Sequence, residues 1–237
     1  GQQQMLGLAM ALHSKPKVLL IDELSLGLAP AVVERILPVI KQIAGQGTAI
    51  IIVEQSVNLA LTIADRAYFM EKGQIRFNGS TKDLLKRPDL LRSVFLSNTS
   101  IPAVETNAKP STKESKSILE IENMTRSFGG ILAVSSVTFD VKANEIMGIM
   151  GPNGAGKTTL FDLLSGFVPS QGGSIKLLGQ DITTKSPAER SKLGLGRSFQ
   201  DARLFPSLTV SETIAVGLER FTSAKNPISG ALHLPHV

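Results

Sequence analysis

The 237-residue sequence contains no cysteine, which excludes a disulfide framework and any cysteine-ligated zinc site. No apolar run approaches the roughly 18–20 residues that a bilayer-spanning helix needs. No signal peptide is legible, and because the sequence begins at Gly1 rather than Met, an N-terminal targeting segment would lie outside it. Concentrated charge is missing too. The formal net charge is +5, yet residues 1–100 carry 11 Lys+Arg against 8 Asp+Glu and residues 118–237 carry 11 against 10. A protein that tracks a nucleic-acid backbone shows a basic stripe. None forms here, so no nucleic-acid partner is expected.

What is present divides into three segments. Residues 1–96 alternate helical and strand patterns. Gln2 to Leu12 and Val32 to Ile43 repeat apolar residues at helical spacing, and Pro38 is expected to kink the second helix. Val18 to Ile21 and Thr48 to Val53 are short continuous apolar runs, as expected of parallel strands buried on both faces. Tyr68 to Met70 and Gln74 to Phe77 flank Lys72-Gly73 as a hairpin would. Residues 97–117 are rich in Ser, Thr, Pro and Lys and read as a flexible linker. Such a coil spans about 25 Å on average and at most about 70 Å. Residues 118–237 begin again with strand patterns over Ile118 to Glu122, Ala133 to Val141 and Glu145 to Met150.

The last of these strands runs into Gly151-Pro152-Asn153-Gly154-Ala155-Gly156-Lys157-Thr158-Thr159, which opens an apolar helical pattern from Lys157 to Gly166. Strand, glycine-rich loop and helix make up the context that a phosphate-binding loop requires. Glycines let backbone N–H groups wrap phosphate oxygens, and the helix N-terminus adds positive partial charge. Lys157 would reach the outer phosphates of ATP and the Thr158 hydroxyl would ligate Mg²⁺. Downstream, Gln200 is a candidate contact to Mg²⁺ and the attacking water. Phe128, before Gly129-Gly130, can stack on adenine or fill a core.

Such a loop needs a carboxylate to hold Mg²⁺ and another to activate water. The pair that ends an apolar strand is Asp22-Glu23, and it precedes the loop instead of following it. The expected fold class is therefore α/β, a P-loop NTPase core with a mainly parallel sheet, flanking helices and an antiparallel β segment, in an unusual chain order.

Several motifs give a more specific resemblance. GPNGAGKTT, RSFQDARLFPSLTV and SFGGILAV resemble the front half of an ABC-transporter ATPase subunit. GQQQ, KVLLIDE, SLGLAP and AIIIVEQ resemble the back half of another, with Gly1 and Gln2 as the tail of the signature sequence. The combination is similar to the two ATPases of branched-chain amino acid importers, with urea and amide importers close behind. The resemblance implies that Asp22 holds Mg²⁺ through water and that Glu23 polarises the attacking water. Gln55 falls where the family places a switch histidine, and a neutral amide can bond phosphate but cannot carry a proton as imidazole does. Ala29 and Leu24 also depart from the family's usual Asp and Pro.

The resemblance further implies a motor at the cytoplasmic face of the membrane, peripheral to transmembrane permease subunits. It would pair head to tail with a second ATPase domain, and a periplasmic or extracellular solute-binding protein would be an indirect partner. Two other readings stand beside it: a nucleotide-binding fragment without turnover, and a non-transport ABC ATPase.

Two domain arrangements follow. In one, residues 1–96 end a first ATPase domain and 118–237 begin a second, so that Asp22 and Lys157 serve different ATPs. In the other, the two halves form one permuted domain. Buried parallel strands need partners, so within this chain the halves are expected to close on each other and to bring Lys157 towards Asp22.

Overall fold

The computed structural model describes residues 2–86, 116–198 and 209–216. The expected linker lies outside these residues apart from Lys116 and Ser117.

Among the described residues ten strands form two sheets: β1 Val18–Asp22, β2 Ala49–Glu54, β3 Arg66–Glu71, β4 Gln74–Ser80, β5 Ser117–Phe128, β6 Ile131–Lys142, β7 Ile146–Met150, β8 Gly172–Leu177, β9 Gln180–Asp181 and β10 Leu195–Ser198. The larger sheet has the order β10-β1-β2-β7-β3-β4, parallel except for the β3–β4 hairpin. The smaller, β6-β5-β8-β9, is antiparallel. The helices are α1 Gln2–His13, α2 Pro30–Gly45, α3 Val57–Ile63, α4 Thr81–Leu84, α5 Lys157–Ser165, α6 Pro187–Lys192 and α7 Val210–Val216.

Burial on both faces explains the unbroken apolar runs. Successive side chains of a strand point to opposite faces. Val18 and Leu20 of β1 join one core with Ile51, Met147 and Ile149, packed against α5 (Leu160, Phe161, Leu164) and the antiparallel sheet (Leu119, Val137, Phe139). Leu19 and Ile21 join the other with Ile50 and Ile52, against Leu8 of α1 and Ile36, Ile40 and Ala44 of α2. No position is left for a polar residue, and each buried Leu or Ile contributes about 1.5–3 kcal/mol.

Helix α2 starts at Pro30, after an extended Ala29, where a missing N–H costs nothing. It continues through Pro38 as one 16-residue helix. Pro38 lies on the exposed face, where water can satisfy the Glu34 carbonyl that has lost its donor.

The halves do close on each other. Strand β7, which leads to the glycine loop, lies between β2 and β3 and pairs in parallel with both (Ile52↔Gly148, Ala67↔Gly148). Strand β10 adds outside β1 (Leu20↔Arg197). The sheet therefore contains strands from both sides of the linker, and β7, one of its two central strands, comes from the second half.

Candidate nucleotide site

The glycine loop joins β7 to α5 at the C-terminal edge of the parallel strands, where open α/β sheets bind ligands. Two of its glycines are demanded by packing. A Cβ at Gly151 would lie 2.1 Å from the Met70 carbonyl oxygen, and one at Gly156, whose φ is +100°, would lie 2.1 Å from that of Ala133. The loop is thus wedged between β3 and β6. Lys157 begins α5 with only 5% of its surface exposed. Its Nζ donates to the carbonyl oxygens of Gly151 (2.7 Å) and Pro152 (2.9 Å), which folds the side chain back over the loop. Thr158, the next residue of α5, is exposed.

Facing this ammonium group is an acidic edge built by the first half. Asp22 ends β1, Glu23 follows it, and Glu54 ends β2. Burial pushes the Lys157 amine below its ordinary value, against the attraction of Glu23, Asp22 and Glu54. Burial raises the Asp22 carboxyl; Arg197 opposes that shift and Glu23 adds to it. Glu54 is 1% exposed and is likewise raised by burial, while Ser25 supports its charged form through hydrogen bonds to the carboxylate from its N–H and Oγ, both 3.0 Å. Glu23 has a φ of +48°, a strained backbone for a residue with a Cβ. Its N–H donates to Val53 (2.9 Å), and its Oε1 accepts from Gln55 Nε2 (2.5 Å).

Arg197 of β10 supports the Asp22 carboxylate. Its Nη2 lies 3.3 Å from Asp22 Oδ2, and its Nη1 donates to Asp162 Oδ1 (2.6 Å) and Ser165 Oγ (3.1 Å), both on α5. Asp22 Oδ1 is buried and has no hydrogen-bond partner among the described residues. A buried carboxylate oxygen without a donor is suited to a cation or its water shell. With the exposed Thr158 hydroxyl at the start of α5, these residues fit a Mg²⁺ ion held beside the phosphates of a nucleotide.

The structure thus brings Lys157, Asp22, Glu23 and Gln55 to one edge of one sheet. Asn153, Gly154, Ala155 and Thr159 complete the same loop and first helical turn. Phe128 stands apart at the tip of the β5–β6 hairpin. It is 44% exposed and the Arg126 guanidinium lies 4.6 Å from its ring centroid. Its cross-strand partner Ile131 is two residues from Ala133, which abuts Gly156. Gly1 and Gln200 lie outside the described residues, as does the side chain of Gln2. Sequence reasoning gave no role to Arg197, Asp162, Ser25 or Glu54. Arg197 was legible only as the first letter of RSFQ, and nothing local marks it as buried.

Fold and site together have the layout of a P-loop nucleotide-binding domain, and the chain is similar to ABC-transporter ATP-binding proteins. The family model described as ABC transporter matches residues 134–233, and an AAA-domain model matches residues 1–59. The chain has homologues among ABC-transporter ATP-binding proteins. It is 31% identical over 220 residues, 92% of its length, to a protein of Methanosarcina acetivorans named as an ABC transporter ATP-binding protein, of which it covers 41%. Two Pseudomonas aeruginosa proteins named for high-affinity branched-chain amino acid transport match as well. BraG is 48% identical over 96 residues (40% of this chain, 41% of BraG), and BraF is 38% identical over 121 residues (51% of this chain, 47% of BraF). Polyamine and galactofuranose transport proteins also match. The chain spans less than half the length of each of these relatives. Among solved structures, the ADP conformation of the ABC-transporter cassette MJ1267 aligns with 30% identity and a TM-score of 0.41, over 52% of this chain and 48% of that one. Among the described residues no helix is long and apolar enough to cross a membrane.

Proposed function

We propose that this chain binds and hydrolyses ATP as part of the motor of an ABC importer, with branched-chain or related amino acids as the transported class. The observation that carries this reading is the placement of Lys157, from the second half, opposite Asp22 and Glu23, from the first. Loop N–H groups and Lys157 would bind the β- and γ-phosphates. Thr158 and Asp22 would hold Mg²⁺, with Gln200 as a further contact. When bound, Mg²⁺ supplies the positive charge that draws negative charge off the γ-phosphate. Glu23 would accept hydrogen bonds from the attacking water and polarise it, and Gln55 holds the Glu23 carboxylate. Phe128 would stack on adenine.

In this reading a second ATPase domain docks head to tail, and the ATP lies between its own loop and the signature segment ending at Gly1 and Gln2. Permease subunits would couple closure of that dimer to transport at the cytoplasmic face of the membrane, and a solute-binding protein would deliver the cargo. The similarity to BraF and BraG supports amino acids; the matches to polyamine and sugar transport proteins leave those cargoes as the alternative outcome.

We also propose that residues 1–96 and 118–237 come from two successive ATPase domains joined by the 97–117 linker. Support comes from the Methanosarcina acetivorans protein, which aligns with 92% of this chain over only 41% of its own length, as a junction inside a longer tandem protein would. Within the longer protein the two sets of motifs would serve different ATPs. Within this chain they meet.

One observation favours a second reading, nucleotide binding without turnover: Gln55 occupies an oxygen of Glu23 that a water-activating carboxylate would use. The test is Mg·ATP affinity of the chain against Asp22→Asn and Lys157→Ala. Loss in both variants supports a shared site. Loss in Lys157→Ala alone assigns Asp22 to another ATP, and no binding in the parent chain overturns the reading.

A further inference from the structure

The geometry points to Arg197 as a positioning residue that sets the Asp22 carboxylate for Mg²⁺ and couples it to the phosphate-loop helix. This rests on the reading of Asp22 as the carboxylate that holds the ion. Parallel register pairs Arg197 with Leu20, and Leu20 and Asp22 share the face of β1 that packs against α5. The arginine therefore emerges beside Asp22 on the side where the phosphate loop lies.

The guanidinium is fixed from several directions. Its side chain is 7% exposed, and its central carbon lies 5.7 Å from the Phe161 ring centroid and 5.9 Å from that of Phe167. One nitrogen is held by Asp162 and Ser165 on α5, and the other meets Asp22 Oδ2. A planar fork on two carboxylates has little freedom to rotate. It commits Oδ2, which leaves Oδ1 as the oxygen without a donor among the described residues. The orientation of a metal-holding carboxylate is thereby fixed by a group that does not touch the ion. Asp162 lies within the helix that Lys157 begins, so the same fork ties the strand that carries Asp22 to the element that carries the phosphate loop. This polar link adds to the apolar packing of Leu20 against the same helix.

The test is equilibrium ATP binding to the full 237-residue chain, with excess EDTA and with Mg²⁺, for the parent, Arg197→Ala, Arg197→Lys and Asp162→Asn. Disturbing the outer partners of metal ligands typically weakens metal affinity by about 10–100-fold. Arg197→Ala is expected to lose about tenfold or more of the Mg²⁺ enhancement while affinity in EDTA stays within about twofold. Arg197→Lys keeps a charge in the site and guards against a folding failure; its single ammonium cannot span both carboxylates, so it too loses most of the enhancement. Asp162→Asn should lose part of it. With Mn²⁺ in place of Mg²⁺, the spin-resonance signal of protein-bound Mn²⁺ at saturating ATP should fall in the same order. Full Mg²⁺ enhancement in both arginine variants overturns the inference, as does a parallel loss of affinity in EDTA, the mark of a purely structural role. If Asp22→Asn leaves the parent's enhancement intact, the reading of Asp22 itself fails instead.

Discussion

Gln55 Nε2 donates a 2.5 Å hydrogen bond to Glu23 Oε1, so the residue proposed for the switch position holds the carboxylate proposed to activate water. Glu23 needs such restraint because its backbone is in a left-handed conformation, with φ +48°. Strain of this kind persists where the surroundings over-determine it, and it concentrates at functional sites.

Glu23→Gln should leave Mg·ATP affinity within about threefold and lower turnover at least about 100-fold, the usual scale for losing a general base. Gln55→Ala frees the carboxylate to rotate without removing it, so its turnover should fall about tenfold with little change in the ATP concentration at half-maximal rate. Phosphate release measured alongside equilibrium binding separates the two effects. Unchanged turnover in Glu23→Gln would remove it from the role assigned here.

Lys157→Met should separate binding from stability. The ammonium makes charge-assisted contacts in this class of site, each worth about 1.5–3 kcal/mol, so ATP affinity should fall about 10–100-fold. Burial already disfavours the charged amine. An apolar replacement of similar length removes that cost, and the melting temperature should hold or rise although the Gly151 and Pro152 carbonyls lose a donor. A melt without nucleotide and a titration with it give the two readouts; a variant that unfolds would show the ammonium to be a structural plug.

Much of this arrangement was legible beforehand, because it rests on local patterns. The glycine loop, the acidic strand end and the doubly buried strands each declare themselves within a few residues. Other parts depend on long-range pairing. Nothing near Arg197 says that β10 lies beside β1, and nothing near Ser25 says that its hydroxyl reaches Glu54 on another strand. Helix α3 was missed because seven residues capped by Ser56 are too few to show a period. Pro38 does not end α2, because its side of the helix faces water, where a lost backbone bond is made good.

The two kinds of loop glycine should respond differently to an added methyl group. At Gly156 the Cβ would sit 2.1 Å from the Ala133 carbonyl oxygen, so β6 or the loop must move. Gly156→Ala is expected to cost about 2–4 kcal/mol and to weaken ATP binding with it. Gly154 has φ +78° but nothing within 4 Å of a built Cβ. Gly154→Ala pays only for the left-handed backbone, about 1 kcal/mol. Denaturant melts of both variants check the contrast, and equal costs would remove the close approach as the reason for Gly156.

Glu54 gives a pH dependence whose sign follows from its surroundings. Burial raises its folded pKa above the ordinary value of 4.5, and the hydrogen bonds from Ser25 only partly offset it. The folded state then binds the proton more tightly than the unfolded chain does, so this group's contribution to stability falls as pH rises from 4.5 through the folded pKa. Glu54→Gln keeps an acceptor for the Ser25 N–H and cannot ionise. Relative to the parent it should be most favourable at neutral and alkaline pH. That advantage should shrink as pH is lowered through the folded pKa and level off below 4.5, where both states of the parent are protonated. Stabilities from denaturant melts at several pH values, parent against variant, trace the difference directly. An advantage that grew towards acid pH would mean that Ser25 outweighs burial and that the carboxylate is held charged.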